Sequence, residues 1–510
     1  MSLSCTYSAI VFCMGMMACA QGESRQQAYF IVERNYENRT ASEKTILLLD
    51  WKEVAKHLKS TNGIEVIDLN FGEQVPVQIA DTNGDGKADK VVVELTFRSN
   101  EPVFSYVLKS TDSKFKLTTF SGQTDKRLQV NFLAGPRNTV QDWPTTIIES
   151  TRTFYPDPYA IARYAPERWN YEYGFFLTGV WQQYKRTGKK EYLTYVQQWV
   201  DRFVMDDGKL NPQQYKPLEY KLDDILPGRL LIFLYEETND ARYKTAADQL
   251  ADQLIHQPKT SEGGYWHKEI YPSQMWLDGI YMADIFSMQY ARAFNKPEFL
   301  NEAVAQIKLI SKHTTDAATG LLYHGWDESK NKVWAHPQTG TSPEFWGRAI
   351  GWYMMALVEC LYYIPDNHPE RKTLIELLQN VSAAVARQQD KQSLLWYQVI
   401  NKGNQPGNWI ETSSSAMFIY AFAKGHRAGW LDKKYYDLAA SAFNSLVRNY
   451  VKFDEAGRLY LDQTVKIGTL NPKGSKGDYE YYITTERRIN DYKGLSPLLF
   501  ASIEFNESVK

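Results

Sequence analysis

The chain has 510 residues, of which 43% are hydrophobic and 23% are charged, and its formal net charge is −2. This is the composition of a folded globular protein, and the near-neutral charge argues against nucleic acid or an acidic membrane surface as a partner. The aromatic share is high at 14%, and aromatic faces with polar tips suit large cores and sugar rings alike.

Three of the four cysteines, Cys5, Cys13 and Cys19, lie in the first twenty residues. The stretch SAIVFCMGMMACA after Cys5 is apolar but too short to span a bilayer, so residues 1–20 are predicted to be a secretory signal peptide. MMAC also resembles a bacterial lipoprotein cleavage box, in which Cys19 would carry a lipid. We expect an exported protein, periplasmic or lipid-anchored to the outer membrane, with no membrane span and no disulfide framework.

Residues 27–135 contain short β-rich runs separated by Asn, Gly, Asp and Ser. Runs such as YFIVERN, KTILLLD and DKVVVELTF predict a small antiparallel β domain, with DWKEVAKHLK as one short helix inside it. The stretch DTNGDGKAD, residues 81–89, matches the first half of a calcium loop, but Val92 stands where the bidentate Glu is needed. We predict a turn between strands there, with calcium binding left open. Residues 136–168 are predicted to be a linker and entry segment.

Helical hairpins repeat over residues 169–510. VWQQYKRTGKKEYLTYVQQWVDRFV and LLIFLYEETNDARYKTAADQLADQLI align at Tyr184 and Tyr235, and SMQYARAFNKPEFLNEAVAQIKLI aligns with them at Tyr290. A fixed period of this size is typical of stacked hairpins, none of which buries its apolar face alone. Five hairpins are readable and GLSPLLFASIEF offers part of a sixth. We therefore predict a mainly α protein with an (α/α)6 toroid, and an open solenoid is the alternative.

Several repeats carry an acid twelve residues before the aligned position: Glu172, Asp223, Asp278 and Glu411. In a toroid these positions share one rim, so the acids should converge on one mouth. An acid near a helix N-terminus commonly caps free N–H groups and complements the helix dipole. We interpret Glu172, Glu411 and Asp224 in this structural way.

Asp278 stands in the apolar stretch YPSQMWLDGIYMADIF, residues 271–286. Burial among aromatic and Met side chains would raise the pKa of this carboxyl, whereas the helix dipole would lower it. A partly desolvated carboxyl near a second carboxylate is the usual arrangement for an acid that works at neutral pH. Asp278 and Asp223 are therefore the predicted catalytic pair.

Basic and aromatic side chains occur in loops near these acids: His267, Lys268, His324, Trp346, Arg348 and Trp352. Arg binds a carboxylate bidentately and Trp stacks on a sugar ring, so this set favours an acidic sugar as ligand. No His/Cys spacing indicates zinc, and no Gly-rich loop after a strand indicates a nucleotide. We expect neither a metal nor a cofactor.

Together these motifs resemble glycoside hydrolase family 105, the unsaturated rhamnogalacturonyl hydrolases, which are relatives of the unsaturated glucuronyl hydrolases. The resemblance extends from Trp169 to Phe505 and rests on GGYWHKEIYPSQMWLDGIYMADIF, LDDILPGRLLIFLYEETND, GLLYHGWDES, WGRAIGWYMMALVE, WIETSSSAMFIYAFAKG and NDYKGLSPLLFASIE. It implies an (α/α)6 barrel, in agreement with the repeats. The N-terminal region lies outside the resemblance.

The resemblance also implies roles for single residues. The catalytic aspartate of the family falls on Asp278 and its second required aspartate on Asp223. Its sugar-binding side chains fall on His324, Arg348, Trp352 and Trp276. His267 and Trp346 are further substrate-binding candidates from the loops. One departure is Ser273, where family members often carry a bulkier polar residue, and it concerns the orientation or identity of the bound sugar.

The implied reaction removes a 4,5-unsaturated uronic acid from the non-reducing end of lyase-generated oligosaccharides, with rhamnose as the expected neighbouring sugar. Asp278 would protonate C4 and then take a proton from the water that adds at C5, after which the hemiketal opens. Asp223 would hold ring hydroxyls and keep Asp278 protonated, and Arg348 or His324 would hold the uronate. Two alternatives stay open: an inverting glycosidase acting on a saturated acidic sugar, and a non-catalytic glycan-binding lipoprotein.

Overall fold

The structure is a computed structural model that describes residues 26–34, 39–58, 62–135, 140–161, 168–470 and 475–506. The predicted signal peptide and Cys19 lie outside these residues. Within the described ranges, no helix combines the length and the apolar character that crossing a bilayer requires. The described chain forms a β-sandwich followed by a ring of helices, which confirms the predicted fold class.

The N-terminal part consists of short strands and one short helix. They are β1 (Gln27–Arg34), β2 (Glu43–Asp50), α1 (Trp51–His57), β3 (Gly63–Asp68), β4 (Glu73–Val75), β5 (Val77–Asp81), β6 (Lys90–Phe97), β7 (Val103–Thr111), β8 (Leu117–Thr119) and β9 (Leu128–Leu133).

The strands form two sheets, ordered β4-β3-β7-β1-β9 and β2-β6-β5-β8. Neighbouring strands pair antiparallel, as predicted, except that β5 and β8 run parallel. Alternate side chains of both sheets, such as Val32, Leu47, Val93 and Phe104, meet in one buried core. This is the geometry of a sandwich, because successive residues of a strand point to opposite faces.

The calcium-like stretch DTNGDGKAD connects β5 to β6 as a turn. The Asp81 carboxylate accepts hydrogen bonds from the backbone N–H groups of Asn83, Gly84 and Gly86. The Gly86 bond is the main cause of a lowered pKa for Asp81. The acid therefore holds the turn together, as predicted.

The remaining helices are α2 (Trp143–Phe154), α3 (Tyr171–Thr187), α4 (Lys190–Asp201), α5 (Gly228–Thr238), α6 (Ala241–His256), α7 (Leu277–Phe294), α8 (Pro297–Thr314), α9 (Gly347–Cys360), α10 (Arg371–Ala386), α11 (Thr412–Arg427), α12 (Lys433–Tyr450), α13 (Tyr479–Thr484) and α14 (Tyr492–Asn506). Six short strands lie between them: β10 (Gln274–Trp276), β11 (Gly325–Asp327), β12 (Val451–Phe453), β13 (Leu459–Leu461), β14 (Thr464–Val465) and β15 (Arg487–Arg488).

An inner ring consists of α3, α5, α7, α9, α11 and α14, each in contact with the next, and α14 closes the ring against α3. The outer helices α4, α6, α8, α10 and α12 each pack on the inner helix that precedes them, and α2 packs on α14. The predicted (α/α)6 toroid is thereby confirmed over the open solenoid.

Helix α2 corrects the prediction for residues 136–168. That segment was expected to be a linker and entry, but its helix is the sixth outer helix, with Ile147 and Ile148 buried in the toroid core. Asp142 caps the helix by accepting the Thr145 N–H, and Pro144 stands in its first turn. The sixth hairpin is therefore formed by α14 as its inner helix and α2, which precedes the first repeat, as its outer helix.

The repeat register explains why the acids share one rim. Tyr184 and Tyr235 stand near the C-terminal ends of α3 and α5, where their carbonyls accept from the left-handed residues Gly188 and Asn239. Positions twelve residues earlier therefore lie at the opposite rim, where the inner helices begin.

The β-sandwich packs on the segment between α12 and α14. Ile31 shares a small apolar cluster with Tyr460 and Ile489. Ala134 and Phe453 exchange backbone hydrogen bonds of 2.8 Å in both directions. The sandwich and the toroid are thus joined by one apolar and hydrogen-bonded seam.

The close approach of α3 to the start of α5 yields a stability prediction. A Cβ at Gly174 would lie 2.8 Å from the Cα of Pro227. This is a backbone atom, which cannot move away by a change of rotamer. Gly174→Ala should therefore lower the free energy of unfolding by about 1–3 kcal/mol, despite the better helix propensity of alanine. Chemical denaturation measures this. Gly135→Ala, where a Cβ meets nothing within 4 Å, is the control, and equal stabilities would contradict the prediction.

Candidate active site

A cavity of about 220 Å³ opens at the rim where the inner helices begin. Seven of the eight predicted site residues line it: Asp223, His267, Trp276, Asp278, Trp346, Arg348 and Trp352. Glu172 also lines it, so three of the four acids from the repeat register meet at one mouth, as predicted. The eighth predicted residue, His324, lies elsewhere.

A short β-ribbon positions Asp278. Strands β10 and β11 pair antiparallel, with Met275 opposite Trp326. The Leu277 N–H donates to the His324 carbonyl at 3.0 Å, and α7 begins there, so Asp278 falls in its first turn. A Cβ at Gly279 would lie 3.2 Å from Nδ1 of His267. The glycine after the carboxylate therefore lets that imidazole lie against the start of the helix.

Asp278 is largely enclosed, with its side chain 17% exposed. Its Oδ2 lies 3.6 Å from Nε2 of His267, and its Oδ1 lies 3.8 Å from Nε2 of His324. Burial raises the pKa of Asp278, and although His267 opposes this, the neighbouring Asp223 adds to it. Burial therefore outweighs the opposing influences, and the protonated form of Asp278 is more stable than in an exposed carboxyl group.

The pKa of Asp223 is shifted in the opposite direction, below its usual value. It lies in the single 3-10 turn Leu222–Asp224 before α5, and not in the helix itself as the register suggested. Burial alone would raise the pKa of Asp223, but Lys268 and His267 outweigh burial, and the pKa is lowered. Two adjacent carboxyl groups with diverging pKa values are the usual sign of one acid and one permanent anion.

Lys268 was among the basic side chains noted near the acids, but it was not among the predicted site residues. Its Nζ lies 2.5 Å from Oδ2 of Asp223, and its side chain is 19% exposed. Burial would lower the pKa of Lys268, but the Asp223 carboxylate outweighs it and raises the pKa. The residue stands next to His267 in the quoted motif, yet its carboxylate partner lies 45 residues earlier and is shown only by the fold.

His324 is the one predicted site residue outside the cavity lining. It is fully buried, does not line the cavity, and its Nδ1 lies 2.7 Å from the Tyr482 hydroxyl. Burial and the nearby His267 lower the pKa of His324 to about 3, so the imidazole is neutral. His324 therefore lies beside Asp278 and outside the cavity lining, and its predicted contact with a sugar stays a prediction.

Arg348 is held in place on one side only. Its Nε donates to Oγ of Ser413 at 2.7 Å, its Nη2 donates to the Val465 carbonyl, and Glu411 lies 3.5 Å away. Its Nη1 is buried and has no hydrogen-bond partner among the described residues. Such a group is rare in folded proteins, so Nη1 is a candidate for binding an anion in the cavity.

Glu411 caps α11 by accepting from the Ser413 N–H, as predicted.

The three tryptophans shape the cavity with little free surface, since each is at most 4% exposed. The ring centres of Trp352 and Phe175 lie 4.7 Å apart, and those of the stacked Trp346 and Tyr482 lie 5.6 Å apart. Trp276 stacks parallel to the His267 ring at 4.6 Å. Their predicted stacking on a sugar stays a prediction, because most of each indole is already covered by protein.

The cluster also has the spacing of a metal site. Asp223, His267 and Asp278 each offer one ligand atom, and these atoms lie within 4.8 Å of one another. The ammonium group of Lys268 already gives Asp223 a cation at 2.5 Å, and it would repel a divalent ion. The positive charge of the site is therefore supplied by the chain itself, and we treat the cluster as acid–base machinery.

Ser273, the departure noted in the sequence, has a left-handed backbone with φ of 63° and does not line the cavity. Its predicted influence on the orientation or identity of the bound sugar stays a prediction.

Comparison with known proteins covers both parts of the chain. The family model described as Glycosyl Hydrolase Family 88 matches residues 146–509, and a model described as a domain of unknown function, DUF4861, matches residues 35–164. A solved family 105 glycoside hydrolase from C. acetobutylicum ATCC 824 is 36% identical with a TM-score of 0.69, covering 72% of this chain and 100% of that chain.

Two further relatives are more distant. The unsaturated rhamnogalacturonyl hydrolase YesR of Bacillus subtilis (strain 168) is 28% identical over 315 residues, which are 61% of this chain and 82% of YesR. The unsaturated glucuronyl hydrolase of Bacillus sp. GL1 is 13% identical with a TM-score of 0.55, covering 72% of this chain and 96% of that chain. The latter similarity is one of fold.

The diverging pKa values predict opposite stability effects for two matched variants. The folded-state pKa of Asp278 lies above the unfolded value of about 3.9, so the wild type loses stability as pH rises through it. Asp278→Asn should therefore raise the free energy of unfolding at pH 7, and the gain should vanish below about pH 4. Chemical denaturation between pH 4 and 8 measures this.

Asp223→Asn is the matched control. The pKa of Asp223 is lowered in the fold, so its stabilising contribution is present at neutral pH and is lost as pH falls. Removing the partner of Lys268 should lower the free energy of unfolding by about 1–3 kcal/mol at pH 7. Effects of the same sign for the two variants would contradict the assigned protonation states.

Proposed function

The chain belongs to glycoside hydrolase family 105, within the enzymes described as Glycosyl Hydrolase Family 88, and we propose that it removes a 4,5-unsaturated uronic acid from the non-reducing end of oligosaccharides. The observation that carries this proposal is the pair of adjacent carboxyl groups, Asp278 with a raised pKa and Asp223 with a lowered one. A hydration reaction needs a single group that first gives and then takes a proton, and Asp278 is suited to that role.

In the proposed reaction Asp278 protonates C4 of the C4=C5 vinyl ether, and positive charge develops at C5 and the ring oxygen. Water then adds at C5 and passes one proton to the Asp278 carboxylate, which restores the acid. The product is a hemiketal, which opens and releases the neighbouring sugar. His267 and His324 contact the two oxygens of Asp278 and would keep the carboxyl oriented during both steps.

The uronate carboxylate would bind Arg348. Its unpartnered Nη1 belongs to a buried guanidinium whose other nitrogens are already engaged, so a carboxylate would complete its hydrogen bonding. This choice replaces the earlier alternative of His324, which is neutral and lies outside the cavity lining. Asp223, ionised and held by Lys268, would accept hydrogen bonds from ring hydroxyls.

The inverting glycosidase is less well supported. That mechanism places a water between two carboxyl groups about 6.5–9.5 Å apart. The ligand oxygens of Asp223 and Asp278 lie within 4.8 Å of each other, and Lys268 binds Asp223 directly. Such a carboxylate is a weak base, because its ammonium partner already stabilises the anion.

We propose rhamnose as the sugar released after the unsaturated uronate. The name of YesR, an unsaturated rhamnogalacturonyl hydrolase, supports this choice.

We also propose export to the periplasm, with Cys19 as the site of a lipid anchor. The support is the apolar stretch in residues 1–20, and metabolic labelling with a fatty acid in wild type and Cys19→Ala tests the anchor.

Turnover of an unsaturated uronyl–rhamnose disaccharide tests the proposed reaction through loss of the ultraviolet absorbance of the C4=C5 bond. Asp278→Asn should lower kcat by about 10²–10⁴-fold, because no group then gives the proton to C4. Asp284→Asn is the matched control, since Asp284 lies in the same helix, is buried, and does not line the cavity. It should keep wild-type kcat.

Persistent absorbance with unsaturated rhamnogalacturonan, glycosaminoglycan and ulvan-type fragments would refute the proposal. Cleavage of the saturated counterpart would establish the inverting glycosidase in its place.

The pH dependence of kcat/KM tests the role of Lys268. Activity should fall at high pH as Asp278 loses its proton and at low pH as Asp223 gains one. Lys268 lowers the pKa of both carboxyl groups, so Lys268→Met should shift both limbs to higher pH. Lys268→Arg should restore the wild-type profile, and limbs that do not move would contradict the assigned role.

A further inference from the structure

A second cavity, of about 350 Å³, lies at the seam between the β-sandwich and the toroid. We call it the seam cavity, and its main lining side chains are Tyr29, Lys109, Trp409, Lys452, Asp462 and Arg487. Its volume falls within the range of small-molecule sites. It shares no lining residue with the catalytic cavity among those that the structure describes.

Among the residues that the structure describes, Lys452 and Arg487 form no ion pair with a carboxylate within 4 Å. Lys452 is 7% exposed, donates to the Asn449 carbonyl, and lies 4.9 Å from the ring centre of Tyr29. Buried charges are normally paired, so this arrangement is unusual.

Arg487 is held by weak contacts. Its Nη1 donates to Oε1 of Gln463 at 3.2 Å, and its guanidinium lies 4.4 Å from the ring centre of Trp409. Its Nε is buried and lacks a hydrogen-bond partner in the described part of the chain. One donor of this side chain is therefore unused beside the cavity.

Asp462 does not balance these two cations. Burial raises the pKa of Asp462, and burial lowers the pKa of Lys452 to about 8 and that of Arg487 to about 10. Asp462 raises the pKa of both cations, but burial outweighs this effect, so all three groups are shifted toward their neutral forms. An anion entering the cavity would reverse the shifts of both cations.

The ribbon of β14 and β15 borders the seam cavity through Arg487. Thr464 pairs with Arg488 and Val465 pairs with Arg487. Adjacent residues of a strand point to opposite sides, so Arg487 lines the seam cavity while Arg488 forms ion pairs with Glu101 and Asp491. One arginine of the pair is thus neutralised within the protein, and the other is not.

We propose that the seam cavity is a second binding site, which holds the carboxylate or sulfate group of an acidic saccharide between Lys452 and Arg487. The rings of Tyr29 and Trp409 and the polar side chains of Asn449 and Gln463 border the same space and suit a sugar. A bare inorganic anion would leave most of the 350 Å³ to water, since one water occupies about 30 Å³.

Isothermal titration calorimetry with a saturated uronic acid disaccharide tests the proposal without turnover, because this ligand lacks the C4=C5 bond. The full chain should bind it, and Lys452→Met/Arg487→Met should lose one binding site or weaken it at least tenfold. Lys433→Gln/Lys434→Gln removes the same charge from an exposed helix start and should bind as wild type. The result therefore does not depend on the proposed reaction.

Binding should also weaken between pH 7 and 9 as Lys452 loses its proton. Wild-type affinity and stoichiometry in the double variant would overturn the site. Sodium sulfate binding as tightly as the disaccharide would overturn its saccharide specificity.

A single variant keeps the test decisive if the double variant does not fold. Lys452→Met removes an unpaired buried cation and should fold at least as well as wild type. The disaccharide should then raise the Tm of the Lys433→Gln/Lys434→Gln control more than that of Lys452→Met. Equal Tm shifts would count against the proposal.

Discussion

The ion pair between Lys268 and Asp223 is the interaction on which the chemistry of the site depends. Two carboxyl groups this close cannot both be ionised at low cost, and the ammonium decides which of them carries the charge. In the proposed reaction Asp223 carries the charge, and Asp278, among His267, His324 and aromatic rings, is the proton carrier. The toroid contributes by bringing helix starts from separate repeats to one rim, so that these groups meet although they are far apart in sequence.

The parts of the fold that the sequence predicted are those encoded by periodicity. The hairpin register placed Asp223 and Asp278 at the same rim, and the spacing of the short β-rich runs indicated an antiparallel β domain but not its two-sheet arrangement. Contacts between distant segments were not predictable in this way. Helix α2 packs on α14 across the whole length of the toroid sequence, and no local pattern shows that a helix before the first repeat completes the last.

The same limit applies inside the site. The motif containing His324 predicts an imidazole near the acids. The position of that imidazole relative to the Asp278 carboxyl depends on how β11 pairs with β10. Lys268 was visible as a charge next to His267, yet its partner could be named only after the fold placed Asp223 beside it. Local sequence thus indicates which side chains are available, and tertiary pairing determines which atoms they touch.

The short ribbon of β14 and β15 connects Arg348 of the catalytic cavity with Arg487 of the seam cavity. The Val465 carbonyl accepts a hydrogen bond from Arg348, and Val465 is also the strand partner of Arg487. Any ligand that moves one of these arginines must strain or relax the backbone segment that the other depends on. Linkage requires such an effect to be equal in both directions. If the proposed saccharide moves Arg487, its binding at the seam and uronate binding by Arg348 would change each other's affinity by the same factor, and the junction of the two domains would carry that effect.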